Sequence, residues 1–398
     1  MSYDFDRPID RKGTDCVKWD HHELHGEVAG MIPMSIADMD FEAPGFVIDA
    51  LTARARHGVF GYTVVPQGYY ASIAAWLEGR YGWPVAKEWI RFSPGVIPAL
   101  NFAVQAFTSP GDMVVIQPPV YHPFRYSVTN NGRTVLNNPL TSGNGRYTMD
   151  IEGLKELLAR AHGRARMLIL SNPHNPVGRV WEEDELRELV EVCAGHNVII
   201  VSDEIHCDLV MPGHRHIPTA SLSETAARIT VTCTSPSKTF NLAELHVANI
   251  IMPDSTLFAR FDRALLKAGL NRPNVMGLVA CEAAYSKGRE WVGELVRYLH
   301  GNYLFVRDLF AGRLPEVKVS PLEGTYLAWL DLRGLGRPHA EVEETLLRKA
   351  RVAMTPGHIF GPGGEGFFRM NLACPRATVE EAAGRIARTL KGEAGAAG

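Results

Sequence analysis

Ile229-Thr230-Val231-Thr232-Cys233-Thr234-Ser235-Pro236-Ser237-Lys238-Thr239-Phe240-Asn241 starts as a β-branched run and ends on a lysine framed by hydroxyls. The run Ile229–Thr232 reads as a buried strand, and Pro236 marks its end. Two upstream segments follow the same plan. Met167-Leu168-Ile169-Leu170 leads into Ser171-Asn172-Pro173-His174-Asn175-Pro176-Val177-Gly178-Arg179, and Val198-Ile199-Ile200-Val201 into Ser202-Asp203-Glu204-Ile205-His206. Val114-Val115-Ile116 and Ile250-Ile251-Met252 are further short apolar runs. Between the runs, Leu154, Leu157, Leu158 and Ala161 line one helical face, and Leu186, Leu189, Val190 and Cys193 another. Strand and helix in alternation predict an α/β fold with a mainly parallel sheet covered on both faces. Ligand sites in such sheets lie beyond the carboxyl ends of the strands. Asn172, Asp203 and Ser235 each follow a strand, so their segments are expected to converge.

These residue types suit one task, holding pyridoxal 5'-phosphate (PLP) together with an amino acid. An aldehyde needs an amine to hold it as a Schiff base, which Lys238 supplies. The pyridine nitrogen needs a carboxylate to keep its proton, which is Asp203. The Asn175 amide suits the ring oxygen, Tyr121 suits the ring face, and the Arg369 fork suits an α-carboxylate. Ser235 and Ser237 flank the lysine. Ser93-Pro94-Gly95-Val96-Ile97 opens a helix whose first N–H groups, those of Gly95, Val96 and Ile97, are free for a phosphate. His206 fits two readings, a bond to the ring oxygen or simple packing.

The same residues carry a resemblance. Val17-Lys18-Trp19-Asp20, Ala37-Asp38-Met39-Asp40-Phe41, Gly61-Tyr62-Thr63, Glu323-Gly324-Thr325-Tyr326, Phe367-Phe368-Arg369-Met370-Asn371 and Ala373-Cys374-Pro375-Arg376 join the segments above. From near Asp4 to about Arg388 the chain resembles the fold-type I PLP enzymes of the class I/II aminotransferase superfamily. It looks most like the MalY/PatB group of cystathionine β-lyases. The resemblance implies a PLP-dependent transferase-like fold, that of aspartate aminotransferase, with a seven-stranded sheet and a smaller α+β domain. It implies a homodimer with shared active sites, in which Tyr62 reaches the cofactor of the neighbouring subunit. It also implies that Ala37 and Asp38 border the substrate.

The chain has 398 residues, 46% hydrophobic and 21% charged, with net charge −3. That composition predicts a globular protein, here of two domains, without a nucleic-acid or membrane partner. No signal peptide or metal-ligand cysteine pair is read. The six cysteines are scattered, which predicts a reduced cytoplasmic setting. His21-His22 and His214-Arg215-His216 read as solvated loops, and no metal is expected. Later strands at Val317–Val319, Thr325–Leu330 and Phe367–Leu372 predict a small antiparallel sheet. Thr378 with Glu381 reads as a capping box. It opens a closing helix on Val379, Ala383, Ile386 and Leu390. The expected boundaries are an arm over 1–45, a PLP-binding domain over 46–285, a small domain over 286–391 and a disordered tail over 392–398.

The expected reaction is C–S β-elimination on cystathionine or a related S-substituted cysteine, with Lys238 moving the α-proton. Transamination, a biosynthetic replacement or cyclisation, and a PLP-binding regulator are the alternatives. Glu244 stands where relatives have glycine. It is either a structural salt bridge or a substrate-binding acid for a cationic group.

Overall fold

A computed structural model describes residues 3–20, 28–143, 145–270 and 272–392. His21-His22 and the tail beyond Gly392 lie outside the described residues. Gly392 itself closes the last helix in a left-handed conformation, φ 77°.

Seven strands form the principal sheet: β1 (Ile90–Ser93), β2 (Met113–Ile116), β3 (Thr134–Asn137), β4 (Ala165–Ser171), β5 (Ile199–Asp203), β6 (Thr230–Thr234) and β7 (Ala248–Ile251). Their order is β1-β7-β6-β5-β4-β2-β3. β3, β2, β4, β5 and β6 are mutually parallel, and β7 runs antiparallel to both its neighbours. Alternate residues of a strand point to opposite faces. Met167 and Ile169 accordingly enter one core with helix α1 (Val96–Phe107), while Leu168 and Leu170 enter another with α2 (Ile151–Arg160) and α3 (Glu183–Gly195). This two-sided burial is why the central strands are unbroken apolar runs. Each such side chain contributes roughly 1.5–3 kcal/mol. The edge strands β1 and β3 carry no such run. Thr134 and Asn137 are exposed, and Arg91 interrupts β1.

α2 starts where the Asp150 side chain accepts from Gly153 N. α3 starts with a Glu182/Glu185 capping box and three acids in its first turn, which suits the helix dipole. The turn α4 (Pro236–Thr239) follows β6. α5 (Ser255–Lys267) covers the α1 face of the sheet, and α6 (Arg289–Arg313) is the longest helix described.

A second, antiparallel sheet holds β8 (Lys318–Val319), β9 (Leu327–Asp331), β10 (Thr355–Pro356) and β11 (Phe367–Asn371), in the order β8-β9-β11-β10. Helix α7 (Arg376–Lys391) buries Val379, Ala383, Ile386 and Leu390. The expected Thr378–Glu381 capping box does not form. Pro375, at φ −51°, opens the helix earlier, and Glu381 pairs with Arg385 at 2.7 Å. The N-terminal segment joins this region. Ile32–Pro33 pairs with Val352–Ala353, Asn371 N donates to Met34 O, and Asp40 N donates to Ala373 O. Among the described residues, no helix is long and apolar enough to cross a membrane.

Candidate active site

Strand direction brings the chemistry-bearing segments together. Ser171 is level with Asp203, and Asp203 with Cys233, so β4, β5 and β6 end side by side. β1 ends at the same edge, and β7 begins there, because Ala248 pairs with Ser93. A cavity of about 240 Å³ opens at that edge. Its lining includes Gly95, Val96, Ile97, Tyr121, Asn175, Asp203, His206, Ser237, Lys238 and Ala37. A larger cavity of about 540 Å³, near Arg307 and Arg333, contains none of these groups.

Lys238 sits on α4, which is tightly held. Ser235 caps the turn through Ser237 N at 3.0 Å, Pro236 occupies its first position, and Thr239 Oγ1 donates to buried Asp208 at 2.9 Å. Lys238 Nζ donates to Ala37 O at 2.5 Å. Burial lowers its pKa to about 8; Arg369 adds to the fall, while Asp38 and Asp203 oppose it. The Asp203 carboxylate, at the end of β5, accepts from Ile205 N at 3.2 Å and from no other group among the described residues. Burial without a bonded cation pushes its carboxyl up to about 7, despite that bond and the charge of Lys238.

Arg369 on β11 is buried and has no acidic partner among the described residues. It donates to Asn175 Oδ1 at 3.0 Å, Ser35 O at 2.9 Å and Thr355 Oγ1 at 3.3 Å, and its Nε has no partner. Burial lowers its pKa to about 10. The Asn175 carbonyl oxygen is thereby engaged, which leaves the amide N–H₂ as its donor. Tyr121 N donates to Asn175 O at 3.0 Å. His206 meets Tyr326 edge-on, and its Nδ1 has no partner. Gly95 precedes α1 at φ 137°, a conformation that favours glycine.

The donor set fits PLP. A buried amine, a buried carboxyl lacking a counter-cation, an unpartnered imidazole nitrogen and an open helix start share one cavity.

Several expected residues stand elsewhere. Ser235 does not line the cavity: its hydroxyl caps α4 and bonds Val247 O at 2.7 Å. Asp38 turns away and pairs with Arg11 at 2.8 Å, so only Ala37 of that pair borders the cavity. Tyr62 is 94% exposed on this chain, under the Arg272 guanidinium. Glu244 is exposed and lies 3.3 Å from His246, and it is His246 that lines the cavity. The left-handed angle falls at His246, φ 48°, not at Glu244. His214 and Arg215 are exposed, but His216 is buried and pairs with Glu204 at 2.9 Å, a correction to the solvated reading. A buried acid requires a partner, and Glu204 beside Asp203 was the available signal.

Sequence reasoning missed Ser171, Ile205, Ala243 and His246 in the lining, and Tyr326, whose hydroxyl donates to Ala37 O at 2.9 Å. Tyr326 was visible in Glu323-Gly324-Thr325-Tyr326, but no charge or spacing marked its role. Among the described residues, His339, Glu343 and His358 form the one group close enough for a metal. Gly366 N donates to His339 Nδ1 at 3.2 Å. That bond puts the ring proton on Nε2, the atom facing His358, which disfavours a metal there.

A lysine and a buried acid beyond the carboxyl ends of a mostly parallel sheet fit the aminotransferase-like class of folds. The family model for aminotransferase class I and II matches residues 29–386, and the chain belongs to that family. It is 46% identical over 387 residues to cystathionine beta-lyase PatB of Bacillus subtilis (strain 168), covering 97% of this chain and 99% of that protein. Protein MalY of Escherichia coli (strain K12) is 33% identical over 391 residues, covering 98% and 99%. Cystalysin from Treponema denticola, whose crystal structure contains a pyridoxal 5'-phosphate cofactor, superposes with TM-score 0.94 at 37% identity, covering 98% of this chain and all of that one.

Proposed function

We propose that this chain is a PLP-dependent C–S β-lyase acting on cystathionine or a related S-substituted cysteine. The observation that carries the reading is one cavity lined by Lys238, Asp203 and Asn175, with Arg369 bonded to Asn175 Oδ1 at 3.0 Å behind that lining and paired with no acid among the described residues. The 46% identity to a cystathionine beta-lyase over nearly the whole chain supports it.

PLP, when bound, supplies an aldehyde for the lysine and an electron-accepting ring. The chain's residues do the rest. Lys238 holds the cofactor and then moves the substrate's Cα proton. Asp203 would supply the negative charge that pairs with the cofactor's protonated ring nitrogen. The Asn175 amide N–H₂, its oxygen being engaged by Arg369, would donate to the ring oxygen, and His206 lines the same cavity. The helix start at Gly95, Val96 and Ile97, with the Ser237 hydroxyl, would hold the phosphate. Tyr121 would cover the ring, and Arg369 would grip the α-carboxylate. The net reaction breaks Cα–H and Cβ–S and, with one water, yields a thiol, pyruvate and ammonia. An apolar strip formed by Val59, Phe60, Tyr62 and Val64, each at least 60% exposed, supports a homodimer in which Tyr62 serves the neighbouring cavity.

The test is product analysis with L-cystathionine. Homocysteine, pyruvate and ammonia in equal amounts are expected. Formation of a keto acid that retains the sulfur, with no pyruvate, would make the chain an aminotransferase instead.

A further inference from the structure

The motif Val17-Lys18-Trp19-Asp20 has no place in the reaction as described, yet the structure ties it to the cavity. Lys18 is 2% exposed, and its Nζ lies 2.7 Å from Asp40 and 3.6 Å from Asp38. Arg11 grips Asp38 with both nitrogens, at 3.1 and 2.8 Å, and reaches Asp40 at 2.7 Å. Trp19 Nε1 adds a third donor to Asp40, at 3.0 Å. Two bases thus face two acids, with Lys18 and Asp40 buried and Arg11 and Asp38 each about one-fifth exposed at the cluster's edge.

The turn between those acids and the cavity is short. Ala37 O, one residue before Asp38, accepts from both Lys238 Nζ at 2.5 Å and Tyr326 OH at 2.9 Å. Ser35 O accepts from Arg369 at 2.9 Å. Ile36 O and Asp38 O both accept from Asn371 at 2.6 Å. Residues 35–38 therefore form one wall that touches the two groups assigned to proton transfer and carboxylate binding. The arm holds that wall from behind.

We propose that Arg11 and Lys18 are positioning residues: they fix the Asp38–Asp40 turn so that the Ala37 carbonyl holds the Lys238 amine in place. Their second effect is electrostatic. Asp38 favours a charged Lys238, and Arg11 offsets that pull. The other ionisable groups facing the amine are Asp203, Arg369 and His206, with Tyr121 and Tyr326 on the same side. The proposal rests on Lys238 as the group that moves the proton.

The test compares wild type with Arg11→Gln and Arg11→Lys; Arg11 is one-fifth exposed, so these variants are expected to fold. In the cofactor-free chains, amide hydrogen exchange of residues 35–41 should rise by about tenfold in Arg11→Gln and less in Arg11→Lys. In the loaded enzymes, deuterium exchange at Cα of L-alanine should fall by about tenfold in Arg11→Gln. The acid limb of its pH profile should move up by about one unit, with cofactor affinity unchanged. A drop in thermal stability without those changes would make the arm merely structural and overturn the proposal. No Cα exchange in wild type itself would remove the parent reading and this proposal together.

Discussion

At the scale of residues, Asp203 and Lys238 oppose each other in pH. The Asp203 carboxyl sits at about 7 instead of 3.8, so across that interval the folded chain keeps a proton the unfolded chain has lost. Its ionisation therefore withdraws stability as pH rises. Lys238 sits at about 8 instead of 10.5, so the folded chain sheds its proton first and stability returns with rising pH above 8. In cofactor-free protein, Asp203→Asn should thus be more thermostable than wild type near pH 7. The gap should close near pH 4, as calorimetry at both pH values can check. A gap independent of pH would refute the burial account. In the loaded enzyme the same change should cost several powers of ten in turnover, because the ring nitrogen loses its charge partner. Glu244 belongs to this scale too. With its carboxylate exposed against His246, Glu244→Gly should leave cystathionine turnover within about twofold. A tenfold change, or lost activity on basic amino acids, would place the carboxylate on the substrate.

At the scale of elements, the loop after β4 is tied to the smaller sheet through Glu323. Its carboxylate takes Arg179 at 2.7 Å, Arg146 at 2.9 Å and Val180 N at 3.1 Å. Burial would raise its pKa, but the two arginines and the N–H bond hold it below the usual range. Glu323→Ala leaves Arg179 buried without that partner and should cost about 3–5 kcal/mol, measured by urea unfolding. An effect below about 1 kcal/mol would mean that Glu185 compensates fully. Elements of this kind were unevenly legible in the sequence. The central strands were plain because both faces are buried, and a two-sided core forces an apolar run. β3 was not, since its residues are exposed or only half-buried, and neither was β1, where Arg91 breaks a strand that is otherwise buried. The α7 start was misplaced because a proline, not the Thr378–Glu381 pair, sets it. Site residues whose chemistry demands one residue type, such as Lys238, Asp203 and Arg369, stood out. Orientation did not: Ser235 as a cap, Glu244 facing outward and His216 turned inward depend on contacts made far along the chain.

At the scale of the whole molecule, the exposed strip around Tyr62 lies on one chain while the cavity lacks a tyrosine from that segment. Sedimentation should report about twice the 43.9 kDa chain mass, and Phe60→Asp should yield a monomer with weakened cofactor binding. A fully active monomer would remove Tyr62 from the site. The central claim is that Lys238 carries the cofactor within this fold. Borohydride reduction of the purified, PLP-loaded protein, followed by peptide mass analysis, tests it most directly. The pyridoxyl group should be found on the peptide containing Lys238, and Lys238→Ala should bind PLP without a covalent bond and lose nearly all turnover. A label on any other lysine, or an active Lys238→Ala enzyme, would contradict the account.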